Sequence, residues 1–73
     1  MNKIELAKDR FKRLATARTN SILKKLLILG NCANRSVYDY TEEDIKKIFS
    51  AIERQVAETK SKFYFPKKVE FKL

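Results

Sequence analysis

The chain has no histidine, and it has one cysteine, one glycine, one proline and one methionine among 73 residues. The missing histidine removes the Ser-His and Cys-His pairs on which much nucleophilic catalysis is built. The single thiol, Cys32, cannot close an intrachain disulfide, and without histidine it cannot complete a tetrahedral zinc site. One glycine, Gly30, does not make a Gly-rich phosphate loop. Glu42, Glu43 and Asp44 are adjacent and read as a helix start, not as a spaced catalytic pair. The longest apolar run is Leu26–Leu29, whereas a membrane-crossing helix needs about 20 apolar residues. The N-terminus is mixed in charge and has no apolar signal core. These absences lead us to expect a protein that is not an enzyme, takes no cofactor or metal, does not partner a membrane and works in the cytoplasm. The unpaired thiol fits a reducing compartment, and Cys32 itself reads as a small filler between Asn31 and Ala33.

What the chain has is positive charge, unevenly placed. The net charge is +8. Residues 1–30 carry eight Lys or Arg against Glu5 and Asp9, an excess of +6; residues 31–62 carry six of each sign; residues 63–73 carry three Lys and Glu70, an excess of +2. The surplus therefore sits at the two ends. A one-sided basic surface is the usual electrostatic footprint for a polyanion.

Two segments have helical patterning. The first runs from about residue 2 to residue 29, with Asn2 as a candidate cap and Glu5 in the capping-box position three residues on. At 100° per residue, Ile4, Phe11, Ala15, Ile22, Leu26 and Leu29 fall within a sector of about 60°. Lys3, Arg10, Arg13 and Lys24 gather on the opposite side, within about 80° of one another by the same construction. The stretch Thr16–Ser21 is rich in short polar side chains that compete for backbone hydrogen bonds, so the helix would bend or break there; one helix is the reading taken. Gly30 then stands where a left-handed residue ends a helix, with Lys24 and Lys25 near the carbonyl end.

The second segment, about 42–62, opens with Thr41 as cap and Asp44 in the box position. Ile45, Ile48, Phe49, Ile52, Val56, Thr59 and Phe63 share one narrow face, the cleanest period in the sequence. Glu43, Lys47, Arg54, Glu58 and Ser61 make a mixed, neutral face for solvent. Pro66 would stop the helix. The intervening loop holds Asn31 and Asn34, which can tie a turn through side-chain-to-backbone bonds, together with Arg35, Tyr38 and Tyr40. Aromatic and arginine side chains in a loop can stack nucleobases, though an ordered turn plugged by one tyrosine is the simpler use. After Pro66, Val69, Phe71 and Leu73 alternate with Lys68, Glu70 and Lys72, a strand-like pattern.

The expected fold is all-α. It is an antiparallel αα-hairpin over residues 1–63, followed by an extended or strand-like tail over 64–73. A chain this short has little core of its own, so a dimeric helical bundle is expected.

The residues Arg18, Asn20, Leu29-Gly30-Asn31, Asn34-Arg35, Tyr38-Asp39-Tyr40-Thr41 and Ile48–Ile52 give the chain a further character. Over about residues 10–63 it resembles a group of small bacterial proteins, some encoded on plasmids, phages or integrated elements. That group has no assigned activity. The resemblance implies a bacterial or mobile-element setting and carries over no functional residue.

Two functions follow as expectations. In the first, a basic nucleic-acid-binding protein meets the phosphates of DNA or RNA through Lys3, Arg10, Arg13 and Lys24, helped by Arg35, Lys67 and Lys68. In the second, an adaptor or inhibitor docks an acidic protein, adding the strand-like tail to the partner's sheet. A helix-turn-helix reader is disfavoured, because its turn has three or four residues and this loop has about ten.

Overall fold

A computed structural model describes residues 4–65 and 71–73. The chain divides into two units, Met1–Asp39 and Tyr40–Leu73. Both are helical, and there is no strand among the described residues.

The first unit is built on helix α1, Ala7–Gly30. The helix starts later than the sequence suggests. Leu6 is the N-cap, with extended backbone and no side-chain cap, and its carbonyl accepts from the amides of Asp9 and Arg10 at 3.0 and 2.9 Å. Asp9 lies in the first turn, where a negative charge suits the positive end of the helix dipole. Ile4 therefore precedes the helix and is 92% exposed, so it does not belong to the apolar stripe. Asn2, the expected cap, lies outside the described residues. Glu5 stays on the extended lead-in, where its carboxylate pairs with Arg13, one to two turns into the helix, and does not turn back to cap an amide. The stretch Thr16–Ser21 stays helical throughout. Its short polar residues are too few, among good helix formers on both sides, to interrupt the run.

Gly30 corrects the expected ending. It has φ −57° and ψ −25°, ordinary right-handed helix, and no residue in the described chain has a positive φ. The helix tightens instead into a single 3₁₀ turn, Asn31–Ala33. The amide of Asn31 bonds back to the Ile28 carbonyl, and that of Asn34 reaches the Asn31 carbonyl at 3.5 Å. Shorter i→i+3 bonds satisfy the last carbonyls without a left-handed residue. The last turn of α1 holds no basic residue, so Lys24 and Lys25 stand too far back to serve the carbonyl end. Cys32 is exposed rather than a packed filler.

Asn34 then organises the loop. Its carbonyl accepts from the amides of Val37 (3.1 Å) and Tyr38 (2.9 Å), while its side-chain oxygen accepts from the Ser36 amide at 3.0 Å. This is the local tie expected of asparagine in a turn.

The second unit is built on helix α2, Glu42–Lys60. Its start is the capping box read from the sequence. The Thr41 hydroxyl accepts from the Asp44 amide at 3.0 Å, and the Asp44 carboxylate accepts from the Thr41 amide at 2.9 Å. Glu42, Glu43 and Asp44 place three negative charges in the first turn and Lys60 a positive one in the last, both favoured by the dipole. The helix ends at Ser61, whose amide bonds to the Ala57 carbonyl and whose hydroxyl donates to the Glu58 carbonyl. Phe63 consequently lies beyond the helix, although its amide still reaches the Lys60 carbonyl at 3.1 Å. Phe63–Phe65 and Phe71–Leu73 have no regular secondary structure. Val69, with its neighbours in the alternating segment, lies outside the described residues.

No described side chain in either unit is buried. Leu14, Ala15 and Leu29 of the first unit, and Tyr40, Ile45 and Ile52 of the second, are half-buried. Phe11, Ile22, Phe49 and Val56 each leave 45–59% of their surface exposed. In proteins most helical stability comes from packing an apolar face.

Candidate nucleic-acid interface

The cationic side chains of α1 fall into two kinds. Arg13 is engaged. Its Nε donates to one oxygen of the Glu5 carboxylate at 2.9 Å and its Nη2 to the other at 3.0 Å. The fork-on-carboxylate geometry is the strongest form of such a pair. Arg13 holds the Glu5 carboxyl below the usual carboxylate range, chiefly by donating these hydrogen bonds, and the pairing raises Arg13 in turn. The pair faces solvent, with 61% of the Arg13 side chain exposed, so screening keeps its contribution to stability small. Its effect is on the surface charge: one of the expected phosphate contacts carries its own counter-ion.

Arg10 and Lys24 are of the other kind. Both are exposed, and neither makes an ion pair or side-chain hydrogen bond among the described residues. They lie fourteen residues apart on α1, which at 1.5 Å per residue is about 21 Å along the axis. Lys8, Lys12, Arg18 and Lys25 are also exposed cations on this helix without an acidic partner among the described residues. They point to other sides and broaden the positive field.

Arg35 stands apart from these. Its Nη1 lies 3.9 Å from Asp39, four residues on in the loop, and both side chains are exposed. Tyr38 is 49% exposed, whereas Tyr40 is half-buried and begins the second unit. The two tyrosines thus differ in environment, as their alternate spacing suggests. Lys3, Lys67 and Lys68 lie outside the described residues. Of the seven residues expected to meet phosphate, the structure sets Arg10, Arg13 and Lys24 on one helix and leaves Arg10 and Lys24 without an acidic partner among the described residues.

The second unit offers a different surface. Glu42, Glu43, Lys46, Lys47, Ser50, Ala51 and Arg54 line a shallow, open hollow along one side of α2. Its charges are mixed, and Lys47 pairs with Glu43 at 3.8 Å. It has none of the one-sidedness of α1. Among the described residues no group of acids and cysteine is gathered to hold a metal ion, and no helix is long and apolar enough to cross a membrane. No family model, curated protein or solved structure matches the chain.

The Glu5–Arg13 pair is the feature that sequence reasoning missed. A spacing of eight is not one of the i, i+3 or i, i+4 separations that mark helical ion pairs. The pair becomes reachable only because the helix begins at Ala7 and leaves Glu5 on a non-helical lead-in.

Proposed function

We propose that this is a small, non-enzymatic nucleic-acid-binding protein that contacts the phosphate backbone through α1. In this reading the two helices fold back on each other as an antiparallel hairpin. Hairpins from two chains then associate into a bundle that covers both apolar stripes and leaves Arg10 and Lys24 outward. The bacterial or mobile-element setting implied by the resemblance, and a cytoplasmic address, belong to the same proposal.

The observation that carries the reading is the pair of exposed cations Arg10 and Lys24, without an acidic partner among the described residues and about 21 Å apart on one helix, within a segment whose net charge is +6. Contacts of this kind supply affinity and orientation without reading base sequence. The bundle is supported by the exposed apolar surface. Besides its stripe, α1 exposes Leu23 (54%) and Leu27 (75%), which widen the apolar surface to one side of it. Large exposed apolar patches mark interaction surfaces.

The test is binding of a labelled random duplex DNA and of a labelled RNA across a salt series. The reading expects both to bind at low salt, the affinity to fall steeply as salt rises, and Arg10→Glu with Lys24→Glu to abolish binding. If neither nucleic acid binds at low salt, the reading is wrong.

A further inference from the structure

The apolar residues of α2 repeat more strictly than those of α1. Ile45, Phe49, Ile52, Val56 and Thr59 are separated by steps of four, three, four and three. That is the 3.5-residue period of a coiled-coil seam. All five lie within the helix, and the one polar member is provided for: the Thr59 hydroxyl accepts from the Gln55 amide nitrogen at 3.2 Å. Ile48, 38% exposed, flanks the seam and widens it beyond a strict two-helix stripe. The corresponding steps on α1 fall on Lys8, Arg18 and Lys25, so α1 is the poorer candidate for pairing with itself.

The charges beside the seam determine the occupant and its direction. Lys46, Glu53 and Lys60 run along one flank, and neither Lys46 nor Glu53 has an ion-pair partner among the described residues. Consider a second α2 laid antiparallel with full overlap, so that position 42 faces 59, 45 faces 56, and 49 faces 52. The seam residues then meet in alternating layers. Lys46 lies beside Glu53 of the second copy, and by symmetry Glu53 lies beside the other Lys46. The acids Glu42–Asp44 approach Lys60 and the carbonyl end of the other helix, which complements both charge and dipole. Sliding this arrangement by one heptad brings Glu53 opposite Glu53, or Lys46 opposite Lys46. A parallel arrangement sets the flanking charges against Thr41, Ile48 and Gln55 and brings two triply acidic ends together.

We propose that α2 is a self-recognition helix: it pairs with α2 of a second copy of this chain, antiparallel and fully overlapped, with register fixed by two reciprocal Lys46–Glu53 pairs. The overlap of about 18 residues is about 27 Å long. The inference goes beyond the nucleic-acid reading and rests only on its self-association part.

The experiment is charge-swap sedimentation equilibrium of the full chain, without nucleic acid. Lys46→Glu and Glu53→Lys should each weaken the dimer about tenfold, since each converts two attractions into two repulsions. The double swap should restore it. A second measurement does not depend on stability. In a Cys32→Ser background, Lys46→Cys mixed with Glu53→Cys should give the crossed disulfide on mild oxidation, in preference to either like disulfide. A dimer indifferent to the single swaps, no restoration in the double swap, or like disulfides in preference to the crossed one would overturn the antiparallel register while leaving phosphate binding untouched. A chain that stays monomeric at micromolar concentration would overturn self-association itself. Loss of nucleic-acid binding with the swap pattern intact would overturn only the phosphate reading.

Discussion

Neutralising Glu5 should make the protein bind nucleic acid more tightly and with a steeper dependence on salt. The Glu5 carboxylate holds both the Nε and the Nη2 of Arg13, so Glu5→Gln releases a guanidinium onto the same face as Arg10 and Lys24. Each phosphate neutralised contributes about −0.9 to the slope of log K against log salt on duplex DNA. Two free cations on each of two chains give a slope of about −3.6, and a third on each gives about −5.4. Between 50 and 200 mM salt the wild-type affinity should then fall on the order of 10²-fold and that of the variant on the order of 10³-fold. Fluorescence anisotropy of a labelled random duplex reads both slopes. Asp9→Asn is the control, because it removes a negative charge from the first turn of the same helix without releasing Arg13. The argument fails if Glu5→Gln changes the slope no more than Asp9→Asn does, or if Arg13→Ala in the Glu5→Gln background leaves the gain in place. The pair also has a pH signature. The folded carboxyl lies below its ordinary range, so the lead-in is held at and above that range and let go as pH falls through the depressed value. By NMR, Glu5 should titrate below an unstructured glutamate and return to the ordinary range in Arg13→Ala.

Gly30→Ala should stabilise the chain by about 0.5–1 kcal/mol, because the residue is right-handed helical and a Cβ there meets nothing within 4 Å; a lower melting temperature would show that the position needs glycine after all. Thr41→Ala breaks the capping box and should cost about 0.5–2 kcal/mol, seen as reduced helicity by circular dichroism with fraying confined to α2. If amide exchange instead quickens equally in α1 and α2, the cap acts on more than its own helix.

What could be read in the sequence was what depends on neighbouring residues alone. The box at Thr41 and Asp44 is a local exchange of two hydrogen bonds, and its spacing announces it. Asn34 ties its own turn in the same way. The apolar stripe of α2 is periodic enough to be read without coordinates. What could not be read depended on competition between local solutions. Gly30 permits a left-handed ending but does not require one, and the 3₁₀ turn at Asn31–Ala33 satisfies the same carbonyls. Glu5 suits a capping box, yet a two-pronged bond to Arg13 takes it elsewhere. With the helix starting at Ala7, Ile4 falls outside the stripe, and the pairing of Arg13 leaves fewer cations of α1 without a partner among the described residues. Of the site itself, the sequence located the charge on α1 but not which charges are free.

The most direct test of the whole reading is the affinity of the unmodified protein for random duplex DNA and for RNA as salt is raised from 50 to 200 mM. The account predicts binding that weakens on the order of 10²-fold over that range and disappears when Arg10 and Lys24 are both reversed in charge. Binding that is flat with salt, or that survives the reversal, would contradict it.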